Sequence, residues 1–213
     1  MPTKHQESTR PLSRTNESMP QVDEIRHFGV EPPFHLEEGA CYLAKGKSAD
    51  ASYRFARHVI EEGTPLLCVS RLHPERVRGK HGLPGGEIWW ISTSPGKDNY
   101  NPTAIGTLAS AIQAFIGSHR DGCFVLLDGL EYLALNVGFD KTLLFLEHLN
   151  EYVMPRRATL LIPISPECFE PTELARLERF TEAIDEAAES VRAGESLARP
   201  LAASKVFPAT IVD

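Results

Sequence analysis

Two carboxylates stand where an apolar segment ends, and their types and spacing could support metal or acid–base chemistry. Residues 124–127 form a continuous apolar run, Asp128 follows directly, and Glu131 comes three residues later. In phosphoryl-transfer proteins, an aspartate at the end of a buried strand holds Mg²⁺, and a nearby carboxylate can act as a general base. An aspartate that only caps the following turn has the same pattern. Asp128 and Glu131 are therefore the catalytic candidates, and Asp128 is also the candidate metal ligand.

A phosphate-binding loop would have to accompany these carboxylates, and Gly46, Lys47 and Ser48 resemble the end of one. The full pattern is G-x-x-x-x-G-K-[ST], in which backbone N–H groups of a glycine-rich turn converge on the phosphates. In that alignment the first glycine of the pattern falls on Cys41, inside an apolar segment typical of a strand. The alignment therefore fails.

Starting the pattern at Gly46, directly after the predicted strand, gives the correct context but the wrong residues. Ala51 then takes the glycine position, Ser52 the lysine position and Tyr53 the Ser/Thr position. Ser52 lacks the positive charge that the β- and γ-phosphates need, and Tyr53 cannot replace the small hydroxyl that binds Mg²⁺. The candidate nucleotide- or anion-binding residues around the crevice are Lys45, Gly46, Lys47, Ser52 and Arg71.

Arg71 directly follows the second apolar run, which comprises residues 66–70. Ligands of open parallel sheets bind at the carboxyl ends of the strands, so Arg71 should face the same crevice as Asp128. Its guanidinium could bind an anion there. Pairing with Asp128 or Glu131 is the favoured interpretation, because arginine–carboxylate pairs inside proteins are often structural.

The segment between His73 and His81 is the most concentrated positive stretch of the chain. Its polar, glycine-containing composition, continuing to Gly86, predicts an exposed loop. The segment could contact nucleic-acid phosphates, but it carries no interleaved aromatic residues for base stacking. The net charge of −7 also argues against nucleic acid as the main partner, because phosphate binding usually requires a basic surface.

The elements that must position these residues alternate along the chain. The predicted strands are 41–44, 66–70, 87–92, 123–127 and 158–164, and the predicted helices are 51–61, 103–116, 139–153 and 171 to about 191. This alternation predicts a three-layer α/β fold, a mostly parallel sheet flanked by helices on both faces. Residues 1–24 should form a disordered tail, 25–193 the α/β domain, and 194–213 an extension with a possible edge strand.

Length and composition are those of one globular domain with tails. The chain has 213 residues, of which 42% are hydrophobic and 24% charged. The four cysteines form no C-x-x-C pair, so neither a disulfide scaffold nor a zinc site is expected. Neither a membrane-spanning run nor an apolar signal-peptide core is present in the sequence, which favours a cytoplasmic location.

Several short motifs together resemble domain-of-unknown-function family 835 (DUF835). They are G-A-C-Y-L at 39–43, S-R-L-H-P at 70–74, W-I-S at 90–92, D-G-L-E-Y-L at 128–133 and I-S-P at 164–166. The resemblance covers about residues 39–180 and implies a distant similarity to KaiC-like members of the RecA superfamily. In that superfamily the second strand ends in one or two glutamates that polarise the attacking water. Arg71 and Leu72 occupy the matching positions here, so the resemblance implies a site without its catalytic carboxylate.

These observations favour a catalytically inactive RecA/KaiC-like module that binds a protein partner in a signalling or regulatory assembly. On this interpretation the chain is not an enzyme, needs no cofactor and could form homo-oligomers. The alternative is a divergent nucleotide-binding protein or ATPase that binds ATP and Mg²⁺ through Lys45 or Lys47, with Asp128 and Glu131 as metal ligand and base. A third possibility is a nucleic-acid binder that uses the basic residues between Arg76 and His81.

Overall fold

The short apolar strands assemble into one seven-stranded sheet in which all neighbouring strands are parallel. The structure is a computed structural model that describes residues 35–185. The strands are β1 (Ala40–Lys45), β2 (Leu66–Ser70), β3 (Glu87–Ile91), β4 (Asn99–Tyr100), β5 (Cys123–Asp128), β6 (Ala158–Ile164) and β7 (Glu182–Asp185). Their order across the sheet is β4-β3-β2-β5-β6-β1-β7. The predicted α/β class with a parallel sheet is confirmed.

Helices cover both faces of this sheet. They are α1 (Asp50–Glu61), α2 (Pro74–His81), α3 (Ile105–Ser118), α4 (Leu130–Val137), α5 (Phe139–Val153) and α6 (Pro171–Leu177), with a 3₁₀ turn at Pro166–Cys168. Helices α1 and α2 pack on one face, and α3 to α6 contribute to the core on the other face. The three-layer arrangement therefore follows the prediction.

Strand β5 shows why the central strands are apolar throughout. Val125 and Leu127 point into the core on the α3–α5 face, and Phe124 and Leu126 into the core on the α1–α2 face. A strand buried on both faces has no solvent side and needs no polar alternation. Its carboxyl end leaves the core at Asp128, which places this residue at the edge of the sheet.

The basic segment is helical, and the prediction of an exposed loop there was wrong. Pro74 begins α2, and the His73 side chain accepts a hydrogen bond from the backbone N–H of Glu75 at 3.4 Å. Gly82, in the left-handed conformation with φ of 64°, ends the helix. Only Val77 is buried, so the helix has no apolar stripe to reveal it, and its capping residues define it instead.

The long helix predicted from residue 171 is also wrong after its first two turns. Helix α6 ends at Leu177, and Ile184, predicted to lie on its inner face, belongs to β7 beside β1. Without β7, the edge of β1 would expose unpaired backbone N–H and C=O groups, and pairing satisfies them. Helix α4 was not predicted at all. The proposed tails, 1–24 and 194–213, and Val191 lie outside the described residues.

The cysteines and helices agree with two further predictions. All four cysteines are free, with Cys41, Cys68 and Cys123 buried and Cys168 exposed. Between residues 35 and 185, none of the helices combines the length and apolar character that crossing a membrane would require.

Candidate functional site

Asp128 lies at the carboxyl edge of the sheet, where its carboxylate is held by two hydroxyl groups. Strand pairing places Ser70, the last residue of β2, directly beside it. The Asp128 Oδ2 atom accepts hydrogen bonds from Tyr53 Oη at 2.7 Å and from Ser70 Oγ at 3.2 Å. The Ser70 hydroxyl in turn accepts the backbone N–H of Leu72 at 3.1 Å. Asp128 is therefore the acceptor of a hydrogen-bond network that joins β5, β2 and α1.

Tyr53 reaches Asp128 from the first turn of α1 and is almost fully buried, with 1% of its surface exposed. Its ring stacks on His81 of α2, with the ring centroids 3.6 Å apart and the planes 5° from parallel. Burial raises the pKa of Tyr53 above its usual range, so its hydroxyl stays protonated and donates to Asp128. Burial also lowers the pKa of His81, an effect to which Lys80 adds, and this favours a neutral ring against Tyr53.

The network engages one of the two carboxylate oxygens that a divalent cation could bind at Asp128. Mg²⁺ requires about six oxygen ligands at roughly 2.1 Å and is usually held by carboxylates, phosphates and water. Here Oδ2 of Asp128 is used by two hydroxyl donors. Nowhere in residues 35–185 do three His, Cys, Asp or Glu side chains cluster as metal ligands would. The contacts that the structure gives Asp128 are hydrogen bonds that connect α1, β2 and β5.

The turn between β1 and α1 borders a cleft of about 690 Å³, where a phosphate loop would lie. Lys45 Nζ forms an ion pair with Glu178 Oε1 at 2.8 Å, and the backbone N–H of Gly46 donates to the carbonyl of Ile164 at 3.0 Å. Lys47 is exposed, and Ser52 is buried. Within the described part of the chain, no ion pair joins Lys45 or Lys47 to Asp128.

The charges that line this cleft are mixed. Its basic side chains are Lys45, Lys47 and Arg54, and its acidic side chains are Asp50, Glu167 and Asp185. Three carboxylates beside three cations cancel most of the field that would attract a polyphosphate. Lys45, Gly46 and Lys47 thus line the cleft, whereas Ser52 is buried in the first turn of α1 and does not line it. These residues do not form a cradle of free donors.

Glu131 lies in the first turn of α4, where it connects this helix to β6. Its Oε1 atom accepts the backbone N–H of Ser165 at 2.8 Å. Burial raises the pKa of Glu131, and the hydrogen bond from Ser165 opposes this shift in part. The carboxylate therefore occupies a backbone donor at the end of β6, a role that the sequence does not reveal.

The raised pKa of Glu131 predicts a pH-dependent effect of Glu131→Gln. The folded protein binds the proton more tightly than the unfolded chain, so this group destabilises the fold increasingly as pH rises above its ordinary pKa of 4.5. Glutamine does not titrate and keeps an oxygen for the Ser165 N–H. Urea unfolding at several pH values should show that the variant gains stability relative to the wild type as pH rises above 4.5.

The exposed Glu167 offers the matched control, Glu167→Gln. That substitution should change stability by about the same small amount at every pH, as surface substitutions do. A Glu131→Gln difference that stays constant with pH would contradict the argument from burial.

Arg71 pairs with neither carboxylate, so the pairing predicted from the sequence was wrong. Its guanidinium lies over the ring of Tyr132 in α4, 4.3 Å from the ring centroid. Its carbonyl accepts the indole N–H of Trp90 at 2.8 Å. At Gly129, which has φ of 141°, an added Cβ atom would lie 3.2 Å from Cδ1 of Ile91, but at an ordinary contact distance of 3.8 Å from the Cβ of Arg71.

Sequence reasoning missed the aromatic partners of this edge. Tyr53 was considered only as an unsuitable metal ligand, and Tyr132 and Trp90 were considered only as parts of the motifs. A signal for α4, the helix that carries Tyr132, was present. Leu130 and Leu133 have the spacing of a buried helix face, and both are buried in the structure. The pair formed by Tyr53 and His81 joins separate elements and has no local signal.

Comparison with known proteins defines the class of module to which this fold belongs. Among solved structures, a KaiC-like protein from the hyperthermophilic archaeon Pyrococcus horikoshii is similar, with a TM-score of 0.51 and 15% sequence identity. The alignment covers 70% of this chain and 73% of that one. Identity this low concerns the fold alone, and the chain is thus an α/β module with a RecA/KaiC-like fold.

The family is defined by sequence. The profile described as "Protein of unknown function (DUF835)" matches residues 46–180, which is more than half of the chain, and the protein belongs to this family. The predicted resemblance is therefore confirmed. No curated protein matches the chain.

Proposed function

We propose that this protein is a catalytically inactive RecA/KaiC-like module that binds a protein partner in a signalling or regulatory assembly. The observation that carries the proposal is the position of Tyr53. Tyr53 occupies the sequence position in which a phosphate loop has its small hydroxyl. Its phenol donates a hydrogen bond to Asp128, with a distance of 2.7 Å between the oxygen atoms. On this proposal the side of Asp128 that would face a metal is closed by a buried, stacked side chain.

The second support is the loss of positive charge and free donors at the β1–α1 turn. Phosphoryl transfer depends on positioned cations and backbone N–H groups around the phosphates. Lys45 is paired with Glu178, and the N–H of Gly46 belongs to the sheet. The position of the catalytic glutamate holds Arg71, whose guanidinium stacks on Tyr132. A module that keeps the fold but lacks these groups would act by binding other molecules at its surface.

Isothermal calorimetry with ATP, ADP and Mg²⁺ tests the proposal directly. The expected result is no saturable heat with the wild type, and no phosphate release in a steady-state hydrolysis assay. Asp128→Asn should behave in the same way, because Asp128 bonds to Tyr53 and Ser70 rather than to a ligand. Asparagine is chosen because it keeps an oxygen acceptor for the two hydroxyls.

The alternative function makes the opposite prediction for the same samples. If Asp128 holds Mg²⁺ with a nucleotide in the cleft beside Lys47, the wild type should bind ATP·Mg²⁺, and Asp128→Asn should weaken binding by about tenfold or more. Nucleotide binding with that dependence, accompanied by hydrolysis, would replace an inactive module by a divergent ATPase. If the module is instead inactive, the Asp128→Asn variant should bind the protein partner with the same affinity as the wild type.

A further inference from the structure

The carboxyl edge of β2, β3 and β5 carries a group of neighbouring cationic, aromatic and apolar side chains. We call it the Arg71 surface, and it consists of Arg71, His73, Trp90, Tyr132 and Leu135. Arg71 stacks on Tyr132, Trp90 donates to the carbonyl of Arg71, and His73 packs its ring edge-on against Trp90 with centroids 5.0 Å apart. Arginine, tryptophan and tyrosine are the residues that most often dominate the energy of protein–protein interfaces.

Arg71 carries a charge that the described part of the chain does not neutralise by an ion pair. Its side chain is exposed, and no carboxylate of residues 35–185 lies within ion-pair distance of it. The two acidic residues of the adjoining turn are engaged elsewhere, Asp128 with Tyr53 and Glu131 with Ser165. The guanidinium lies over the ring of Tyr132, 4.3 Å from the centroid, and its planar fork of N–H donors matches the geometry of a carboxylate.

Leu135 adds an exposed apolar side chain on the helix that carries Tyr132. It lies three residues after Tyr132 in α4, so both side chains share one face of the helix. Its exposed fraction is 82%, the highest of the large apolar residues that the structure describes. A guanidinium fork beside an exposed leucine and an aromatic ring is complementary to a carboxylate beside an apolar side chain.

We propose that the Arg71 surface binds an acidic segment of a partner protein, in which an aspartate or glutamate lies next to a large apolar residue. The carboxylate would bind the guanidinium of Arg71, and the apolar side chain would cover Leu135 and the ring of Tyr132. This inference rests on the proposed function, because it states where the partner binds and what chemistry it presents. The surrounding charge supports it, since residues 71–81 contain four Arg and Lys but a single Glu.

A nucleic acid would also be attracted to an arginine beside aromatic rings, but two observations favour a protein segment. The chain has a net charge of −7, which opposes a polyanion whose binding depends on many simultaneous phosphate contacts. Leu135 contributes apolar surface that phosphates and sugars do not cover well. The experiment must therefore distinguish binding of oligothymidylate to this surface from binding of an acidic peptide.

The experiment begins with selection of a random-peptide phage library on the full-length wild-type protein. The expected result is enrichment of sequences that contain Asp or Glu next to Leu, Ile, Met or Phe. The enriched peptides, synthesised and titrated by calorimetry, should lose about tenfold or more in affinity to Arg71→Ala, because one charged group of a close pair is removed. Arg71→Lys should also weaken binding, since lysine keeps the charge without the planar fork.

Matched variants locate the binding surface. Leu135→Ala should weaken the same peptides, whereas Leu144→Ala, at a half-exposed leucine of α5, should not change their affinity. Tyr132→Phe should keep binding, because the ring under Arg71 is retained. Peptides whose affinity is unchanged in Arg71→Ala, enrichment of basic or purely apolar sequences, or no enrichment would each overturn the proposal. Tighter binding of oligothymidylate, lost in Arg71→Ala, would overturn it as well.

These outcomes differ from a failure of the proposed function. Binding and hydrolysis of ATP·Mg²⁺ would contradict an inactive module without involving Arg71. Conversely, a partner protein that crosslinks to another surface, such as the exposed face of α5, would keep the module as a protein-binding domain and overturn only the assignment to Arg71.

Discussion

Replacing Tyr53 by alanine should lower the free energy of unfolding by about 3–5 kcal/mol, the range observed when large buried aromatic side chains are removed. Tyr53 is among the largest fully buried residues, and its ring is stacked on His81. Truncation removes this stacking, leaves a cavity between α1 and α2, and deprives Asp128 of its shortest hydrogen bond. Urea unfolding followed by far-UV circular dichroism measures the loss.

The phenylalanine variant separates the hydroxyl from the ring. Tyr53→Phe keeps the stacking but removes a donor from Asp128, so a loss of about 1–3 kcal/mol is expected, as for a buried acceptor that loses a partner. Tyr132→Phe is the matched control, because the Tyr132 ring lies under Arg71 and the hydroxyl has no described partner. It should leave stability unchanged within about 0.5 kcal/mol.

The Tyr53 series also bears on function. If the phenol closes a site that would otherwise accept a nucleotide, Tyr53→Phe should still fail to bind ATP·Mg²⁺, because its ring fills the same space. A Tyr53→Phe protein as stable as the wild type would show that the hydroxyl does not support Asp128. It would remove the main argument that this carboxylate has a structural role.

The sequence was sufficient to predict the five inner strands of the sheet, because the strands that build its centre are apolar on both faces, but it did not predict the edge strands β4 and β7. The runs at 66–70 and 158–164 became β2 and β6 with the predicted bounds, and α5 was predicted with its observed bounds, 139–153. In these elements local composition and tertiary burial favour the same structure. Helix α2 lacks such agreement, since a single buried valine gives it no periodic pattern and only its caps define it.

The candidate site was predictable in position but not in contacts. The rule that parallel sheets bind ligands at their carboxyl ends brought Asp128 and Arg71 to the same edge. Their partners come from α1, α2 and α4, which approach that edge from opposite faces of the sheet. Packing between these helices determines which side chain reaches Asp128. Residue spacing within one segment of the chain does not predict that packing. The ring under Arg71 was missed for the same reason.

Gly129→Ala should destabilise the protein by about 1–3 kcal/mol, the cost of forcing a non-glycine residue into a sparsely populated backbone conformation. Gly129 has φ of 141° and ψ of 25°, which a residue with a Cβ atom rarely adopts. An added Cβ would lie 3.2 Å from Cδ1 of Ile91, so the tip of this side chain would also have to move slightly. This glycine connects Asp128 to α4, and strain there acts on both halves of the site.

Gly79→Ala provides a matched substitution with the opposite expected sign. Gly79 lies within α2, is exposed, and has open space where a Cβ would be placed. Alanine there should stabilise the protein by about 0.4–1 kcal/mol, because it limits the unfolded chain and favours the helix. Urea unfolding of both variants and the wild type gives the comparison. Equal stability of Gly129→Ala and the wild type would mean that the turn after Asp128 can relax to an ordinary conformation.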